Sequence, residues 1–472
     1  MAGKNNLPDL PAGRQAAVKQ VPSSYKDPSG FVFIQDGIFY RSVSPLYREH
    51  YDYLMKSGLY VALIKNKWMV SHVEVTKPDD QRDKYKILKP DQIPFMNFPY
   101  EWSFSQLKDA ALLTLDICLT ALDYDMILKD ASNFNVTYYE GRPTFIDTLS
   151  FEKYVEGEPW IAYGQFCRHF LSPLALAAHK DLRFIPLLRQ FLDGFPLDFV
   201  ANLLPKHTLL NMGLAMHIHA HAKATTQFGG KKIGNAKKLK VSKFQLKGLL
   251  TGLRGTVQGI KLNKSITQWG DYYTDHNYSE KGFNDKKNLI ETICKKYKPS
   301  VVLDLGANNG EFSREAIKGS KLVISTDVDP VAVEKNYSYV KQSSEQNILP
   351  LYLDVTNPSG DIGFNLLERS NFFSRTSFDC VLALALIHHL VMTYNLPLTA
   401  IAKFLASHAP LLIIEFVPKS DSQVERLLQN REDIFPDYTK EGFENAFGEY
   451  FSILESHVMK DSVRTLYVLK RK

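Results

Sequence analysis

The residues best suited to chemistry in this chain lie in its C-terminal half. The run Val301-Val302-Leu303-Asp304-Leu305 leads into Gly306-Ala307-Asn308-Asn309-Gly310 and then Glu311-Phe312-Ser313-Arg314, the order of a buried strand, a glycine turn and a helix start. Glycine at 306 lets the backbone approach a ligand where a Cβ would collide, and amides left bare at the turn and helix start can receive an anionic group. A second strand, Leu322 to Thr326, ends in Asp327, about 20 residues past the first glycine, where a carboxylate accepts from two ribose hydroxyls. Asp329 is its close rival. A third strand, Ile348 to Leu353, ends in Asp354, which can accept from an exocyclic amine of adenine. A fourth, Phe378 to Leu384, leads to His388 and His389, imidazoles placed for general-base work if they do not simply pack. Glu415, ending the strand Leu411 to Ile414, is a lesser candidate for holding an acceptor.

A second constellation lies upstream. Asp130 is followed by Asn135, then by a short hairpin through Gly141, then by Asp147. A carboxylate that orients a hydroxyl, with an amide and a second carboxylate that hold Mg²⁺ beside a nucleotide, needs these residue types in this order. Leu128 precedes the segment and Thr148 follows it, and no glycine-rich phosphate loop is visible nearby. His217-x-His219-x-His221 would align three imidazoles on a strand, but its surroundings have helical spacing, which scatters them, so no metal site is expected.

These residues must be positioned by ordinary globular elements. Hydrophobic residues are 44% and charged residues 23% of the 472, which excludes wholesale disorder, and the length suggests two or three units. The net charge of +6 permits an acidic partner, nucleic acid included, without demanding one. Cys118, Cys167, Cys294 and Cys380 are dispersed and read as buried thiols. Residues 1–24 read as a flexible cytoplasmic tail with no apolar segment suited to secretion, and no stretch reaches the length of a membrane span. Phe31 to Val43 predicts a hairpin about Asp36-Gly37. Phe104, Leu107, Ala111, Leu115 and Leu119 predict a helix with one buried face, and 165–222 reads as short helices broken by prolines. Residues 223–264, rich in Lys and Gly, read as a basic linker, able to touch phosphates or anionic lipid but more simply solvated.

As a set, the strand order, glycine loop and successive acidic strand ends resemble the class I S-adenosylmethionine-dependent methyltransferases over about 200 residues. The spacing Gly306-x-x-x-Gly310 suits a single nucleoside better than a nicotinamide dinucleotide, the other ligand of such a loop. The resemblance implies an α/β fold for 265–472 with a Rossmann-like seven-stranded sheet and S-adenosyl-L-methionine as cofactor. It further implies that Asp304, Gly306 and Gly310 hold the methionine moiety, Asp327 the ribose, and Asp354 with Val355 the adenine. Asn308 stands where the family has its middle glycine. Trp269, Tyr272, Tyr273 and Tyr278 would either cap the cofactor or acceptor or pack in the core.

The Asp130, Asn135 and Asp147 segment resembles the catalytic segment of protein kinases and aminoglycoside-type phosphotransferases. It implies an α+β kinase-like unit over 25–222, with ATP and Mg²⁺ if that unit is active. Val61-Ala62-Leu63-Ile64-Lys65 is similar to the kinase strand lysine motif, with one residue inserted. Across nearly the whole chain, segments such as Tyr100-Glu101-Trp102-Ser103-Phe104 and Arg431-Glu432-Asp433-Ile434-Phe435 resemble bacterial methyltransferases of the nodulation-protein type. The expectation is an enzyme that methylates an acceptor, at oxygen, whether small molecule, glycan or macromolecule, with the N-terminal unit recognising the acceptor or regulating the enzyme. Two alternatives stay open: a bifunctional methyltransferase and phosphotransferase, or a non-catalytic cofactor-binding module.

Overall fold

The computed structural model describes residues 19–76, 84–228, 240–262, 279–429 and 432–472. Much of the N-terminal tail, the lysine pairs at 231–232 and 237–238, Trp269, Tyr272, Tyr273, Tyr278 and Arg431 lie outside the described residues.

In the N-terminal half, β1 (Lys19–Gln20), β2 (Val32–Gln35), β3 (Ile38–Val43), β4 (His72–Glu74) and β5 (Lys86–Pro90) form a sheet in the order β1-β2-β3-β5-β4. The β2–β3 hairpin turns at Asp36 and Gly37, both at positive φ, as a two-residue loop demands. Lys65 belongs to no strand of this sheet. It ends the helix Leu59–Lys65, because Leu59 and Leu63 bury at helical spacing, so the strand-lysine reading is corrected.

The helix Phe104–Asp123 starts at a reciprocal cap, Ser103 with Gln106, and is buried nearly all round rather than on one face, because it lies at the centre of the molecule. After it come β6 (Met126–Leu128), the hairpin β7 (Val136–Tyr139) with β8 (Arg142–Phe145), and β9 (Phe151–Lys153), which pairs with β6. Short helices fill 163–228. The expected linker is corrected in part: Lys243–Gly259 is a helix that buries Leu246, Leu250, Leu253 and Val257 and packs along Phe104–Asp123. Its apolar seam outweighs the lysine-rich composition that suggested a solvated strand of chain.

In the C-terminal half, continuous apolar runs make strands that are covered on both faces. β10 (Val301–Leu305), β11 (Leu322–Asp327), β12 (Ile348–Tyr352), β13 (Cys380–Ala383), β14 (Leu411–Phe416), β15 (Phe451–Val458) and β16 (Thr465–Arg471) form one sheet in the order β12-β11-β10-β13-β14-β16-β15. The first five are parallel, and β16 enters antiparallel between β14 and β15.

The two halves share one apolar core, which runs from Leu107, Leu115 and Tyr138 to Tyr337, Leu349 and Leu351. Polar contacts fasten the same face. Glu101 and Arg375 form a buried two-pronged ion pair, Nη1 to Oε2 at 2.8 Å. Gln106 Nε2 donates to the Pro350 carbonyl at 3.1 Å, and the Tyr337 hydroxyl donates to Asp109 at 2.8 Å. At Gly141, φ +71°, a Cβ would stand 2.2 Å from the Glu345 carbonyl oxygen, so the β7–β8 turn presses backbone to backbone against the other half.

Candidate cofactor and acceptor site

At the carboxyl ends of the parallel strands lies a cavity of about 350 Å³. Asp304, Gly306, Asp327, Asp354, Val355 and His389 all line it, so the strand ends bring together most of the residues expected from sequence. Gly306 sits at φ +74°, and a Cβ there would come within 3.3 Å of Leu386 on the cavity wall. Asn308 also sits in the left-handed region, φ +50°, one of the few side chains that tolerates it, which is how the turn keeps its shape without a middle glycine.

Two expectations for this turn are corrected. Gly310 does not line the cavity. It precedes the helix Glu311–Ala316, and a Cβ there would meet the Asn336 side chain at 2.5 Å, so its smallness serves helix packing. The turn amides are not bare either: those of Gly306 and Ala307 donate to the Thr326 carbonyl, that of Gly310 to Ala307, and that of Asn308 to Asp327 Oδ2 at 2.8 Å.

Asp327 also receives the Asp329 amide on Oδ1 at 2.8 Å, which orients both of its oxygens. Burial pushes its carboxyl up to about 6. Asp329 turns away to cap the helix Pro330–Ser343 and does not line the cavity. Asp304 is fixed by the Ser313 hydroxyl at 2.6 Å, and burial pushes it up to about 7. Asp354 accepts from the amide and hydroxyl of Thr356.

His388 is withdrawn from the chemistry expected of it. Its ring is fully buried in the helix Ile387–Met392, off the cavity, and neither nitrogen has a hydrogen-bond partner among the described residues. His389 does line the cavity, and burial holds its pKa down to about 4, so it is neutral at neutral pH and weakly basic. Glu415 is also buried beneath the wall, where Lys286 Nζ lies 2.8 Å from its Oε2.

Lys286 was missed from sequence. It lines the cavity from the helix Glu280–Tyr297, and its signal was a lysine inside the apolar seam at four-residue spacing, Gly282, Lys286, Ile290, Cys294. Phe283, Thr393, Tyr394 and Leu427, also missed, are further lining residues.

The upstream constellation is differently arranged. Asp130 accepts from Gln165 Nε2 at 2.7 Å and from the Ser132 amide. Asn135 and Asp147 are brought together through the Ser150 hydroxyl, which receives Asn135 Nδ2 at 3.1 Å and donates to Asp147 Oδ2 at 2.5 Å. The other oxygen of Asp147 is 2.9 Å from the Arg41 guanidinium, which also pairs with Asp27. His217 bonds Tyr163 and His221, about one helical turn on, stacks on the same ring, while His219 between them bonds Thr208.

The strand order, with one antiparallel strand entering beside β14, and the cavity at the strand ends together define the class I S-adenosylmethionine-dependent methyltransferase fold. Nodulation protein NoeA of Rhizobium meliloti (strain 1021) is 35% identical over 462 residues, covering 96% of this chain and 96% of that protein. The chain belongs to the NoeA family. No family model matches it. Among solved structures, magnesium protoporphyrin IX methyltransferase (ChlM) from Synechocystis PCC 6803 with bound SAH is similar at TM-score 0.32 and 15% identity, over 43% of this chain and 93% of that one. The N-methyltransferase NodS from Bradyrhizobium japonicum WM9, in complex with S-adenosyl-L-homocysteine, is similar at TM-score 0.32 and 13% identity, again over 43% and 93%.

Proposed function

We propose that the chain is an S-adenosylmethionine-dependent methyltransferase whose acceptor enters beside His389, Thr393 and Tyr394. The observation that carries this reading is the convergence of Asp304, Gly306, Asp327 and Asp354 on one cavity at the carboxyl ends of parallel strands. The residues fit the cofactor: Asp327 would take the ribose hydroxyls, Asp354 and Val355 the adenine, Asp304 and Gly306 the methionine end. The bound cofactor supplies an already activated sulfonium methyl. The protein's own task is then to hold an acceptor in line with it and to exclude water, and alignment alone can be worth about 7–11 kcal/mol of a barrier. His389, Thr393 and Tyr394 are the polar groups beside that entry, and an oxygen acceptor is the preferred class because a neutral imidazole can accept a hydrogen bond from its hydroxyl and hold it in line. The N-terminal unit, with the Lys243–Gly259 helix included, would recognise the acceptor. Calorimetric titration with S-adenosylhomocysteine tests the reading: binding to the wild type with loss of about tenfold or more in Asp327→Ala supports it, and no binding to the wild type rejects it.

The phosphotransferase reading is disfavoured by one contact. Arg41 neutralises Asp147 where a divalent cation would have to sit. Thermal unfolding with and without Mg²⁺ and ATP separates the two readings: no shift is expected here, and a stabilisation abolished by Asp147→Ala would restore phosphotransfer.

A further inference from the structure

Residues 199–270 contain no Asp or Glu and twelve Lys or Arg. Since the whole chain has 57 basic and 51 acidic residues, a balance of +6, the remaining residues sum to −6, and the entire positive excess of the protein resides in this one stretch. Of its described cations, Lys243, Lys247 and Arg254 are paired with Asp125, Asp123 and Asp116. Lys206 and Lys223 are exposed and form no ion pair among the described residues.

The same stretch carries large apolar side chains standing in solvent. Leu210 and Met212 are each 87% exposed and Phe244 is 88% exposed, with Leu209 and Met216 beside the first two. The two groups are linked by one helix: Gly213 lies so close to Lys243–Gly259 that a Cβ would meet the Thr256 hydroxyl at 2.2 Å, which sets Met212 alongside the C-terminal part of that helix, and Phe244 stands at its start. Along the helix Gly248, Gly252, Gly255 and Gly259 have nothing within 4 Å of a Cβ built there, so no other part of the described chain packs over them.

Protruding Leu, Met and Phe, with Lys206 and Lys223 exposed in the same acid-free stretch of sequence and the acids beside the helix already paired, match the requirements of a bilayer interface, in which apolar groups enter the acyl boundary and lysines meet anionic headgroups. A nucleic acid would use the lysines but would leave Leu210, Met212 and Phe244 in water. We infer that this face docks the protein peripherally on an anionic phospholipid membrane. No helix among the described residues is long and apolar enough to cross one, so the attachment is to the surface. The inference does not depend on the methyltransferase reading, because none of these residues lines the cavity.

Flotation of the full chain with vesicles tests it. Vesicles of equal parts phosphatidylcholine and phosphatidylglycerol should carry the protein up the gradient, pure phosphatidylcholine should carry about tenfold less, and added salt should release it. The exposed double variant Leu210→Ser, Met212→Ser should cut binding about tenfold with an unchanged circular dichroism spectrum, and Phe244→Ser serves as a second, independent variant. No flotation with anionic vesicles overturns the inference. So does binding that both variants leave untouched, or tight salt-sensitive binding of duplex DNA in place of vesicles.

Discussion

Lys286 Nζ lies 2.8 Å from Glu415 Oε2, with both side chains sealed from solvent under the wall of the cofactor cavity. Burial lowers the lysine's pKa, and the contact with the glutamate opposes that shift. Lys286→Met alone strands a buried carboxylate and should cost about 3–5 kcal/mol in urea unfolding. The double variant Lys286→Met, Glu415→Leu should recover most of that loss. If the single variant is as stable as the wild type, the pair is not what holds this wall.

Proton linkage should mark the same cavity. Asp304 and Asp327 have folded pKa values near 7 and 6, above the ordinary value of about 3.9 for an unfolded aspartate. Between about pH 4 and 7 the folded protein therefore binds more protons than the unfolded chain, and these two groups lower stability as pH rises through that window. A ligand that donates hydrogen bonds to both carboxylates favours their ionised forms. S-adenosylhomocysteine binding should weaken as pH falls from 7 to 5 and should release protons, seen as a buffer-dependent heat. A pH-independent affinity would remove these carboxylates from the contact.

Because one core spans both halves, calorimetry should show a single cooperative transition. Arg375→Ala would leave Glu101 buried and unpaired and should lower the transition midpoint by several degrees. Two separate transitions in the wild type would contradict the shared core.

His388 offers an opposite sign. Its two ring nitrogens are buried without partners among the described residues, a desolvation cost of about 1–3 kcal/mol, so His388→Leu should raise stability rather than lower it. A clear loss of stability would show that the imidazole has work to do in the cofactor-bound form.

Much of the C-terminal sheet could be read before any coordinates. The strands ending at Leu305, Asp327 and Tyr352 carry continuous apolar runs, and the first is followed by Gly306 in the left-handed region that glycine favours. Harder to read were features set by partners distant in sequence. Asn308 spends its amide on Asp327, and Gly310 yields to Asn336, so a turn that looked open is internally satisfied. The helix Lys243–Gly259 hid because its lysines dominate a composition count, while Leu246, Leu250, Leu253 and Val257 at helical steps decide its place. Arg41 beside Asp147 could not be foreseen, because nothing within a strand announces which carboxylate it will meet.

Gln106 and Pro350 are joined by a hydrogen bond across 244 residues. At a synthesis rate of roughly 5–20 residues per second, the central helix waits on the order of ten to fifty seconds for the strand that completes its surroundings. During that time its greasy flank has no native cover. Production of this protein in cells should therefore lean on holding chaperones, and truncated chains that stop before the sheet is finished should collect as aggregate.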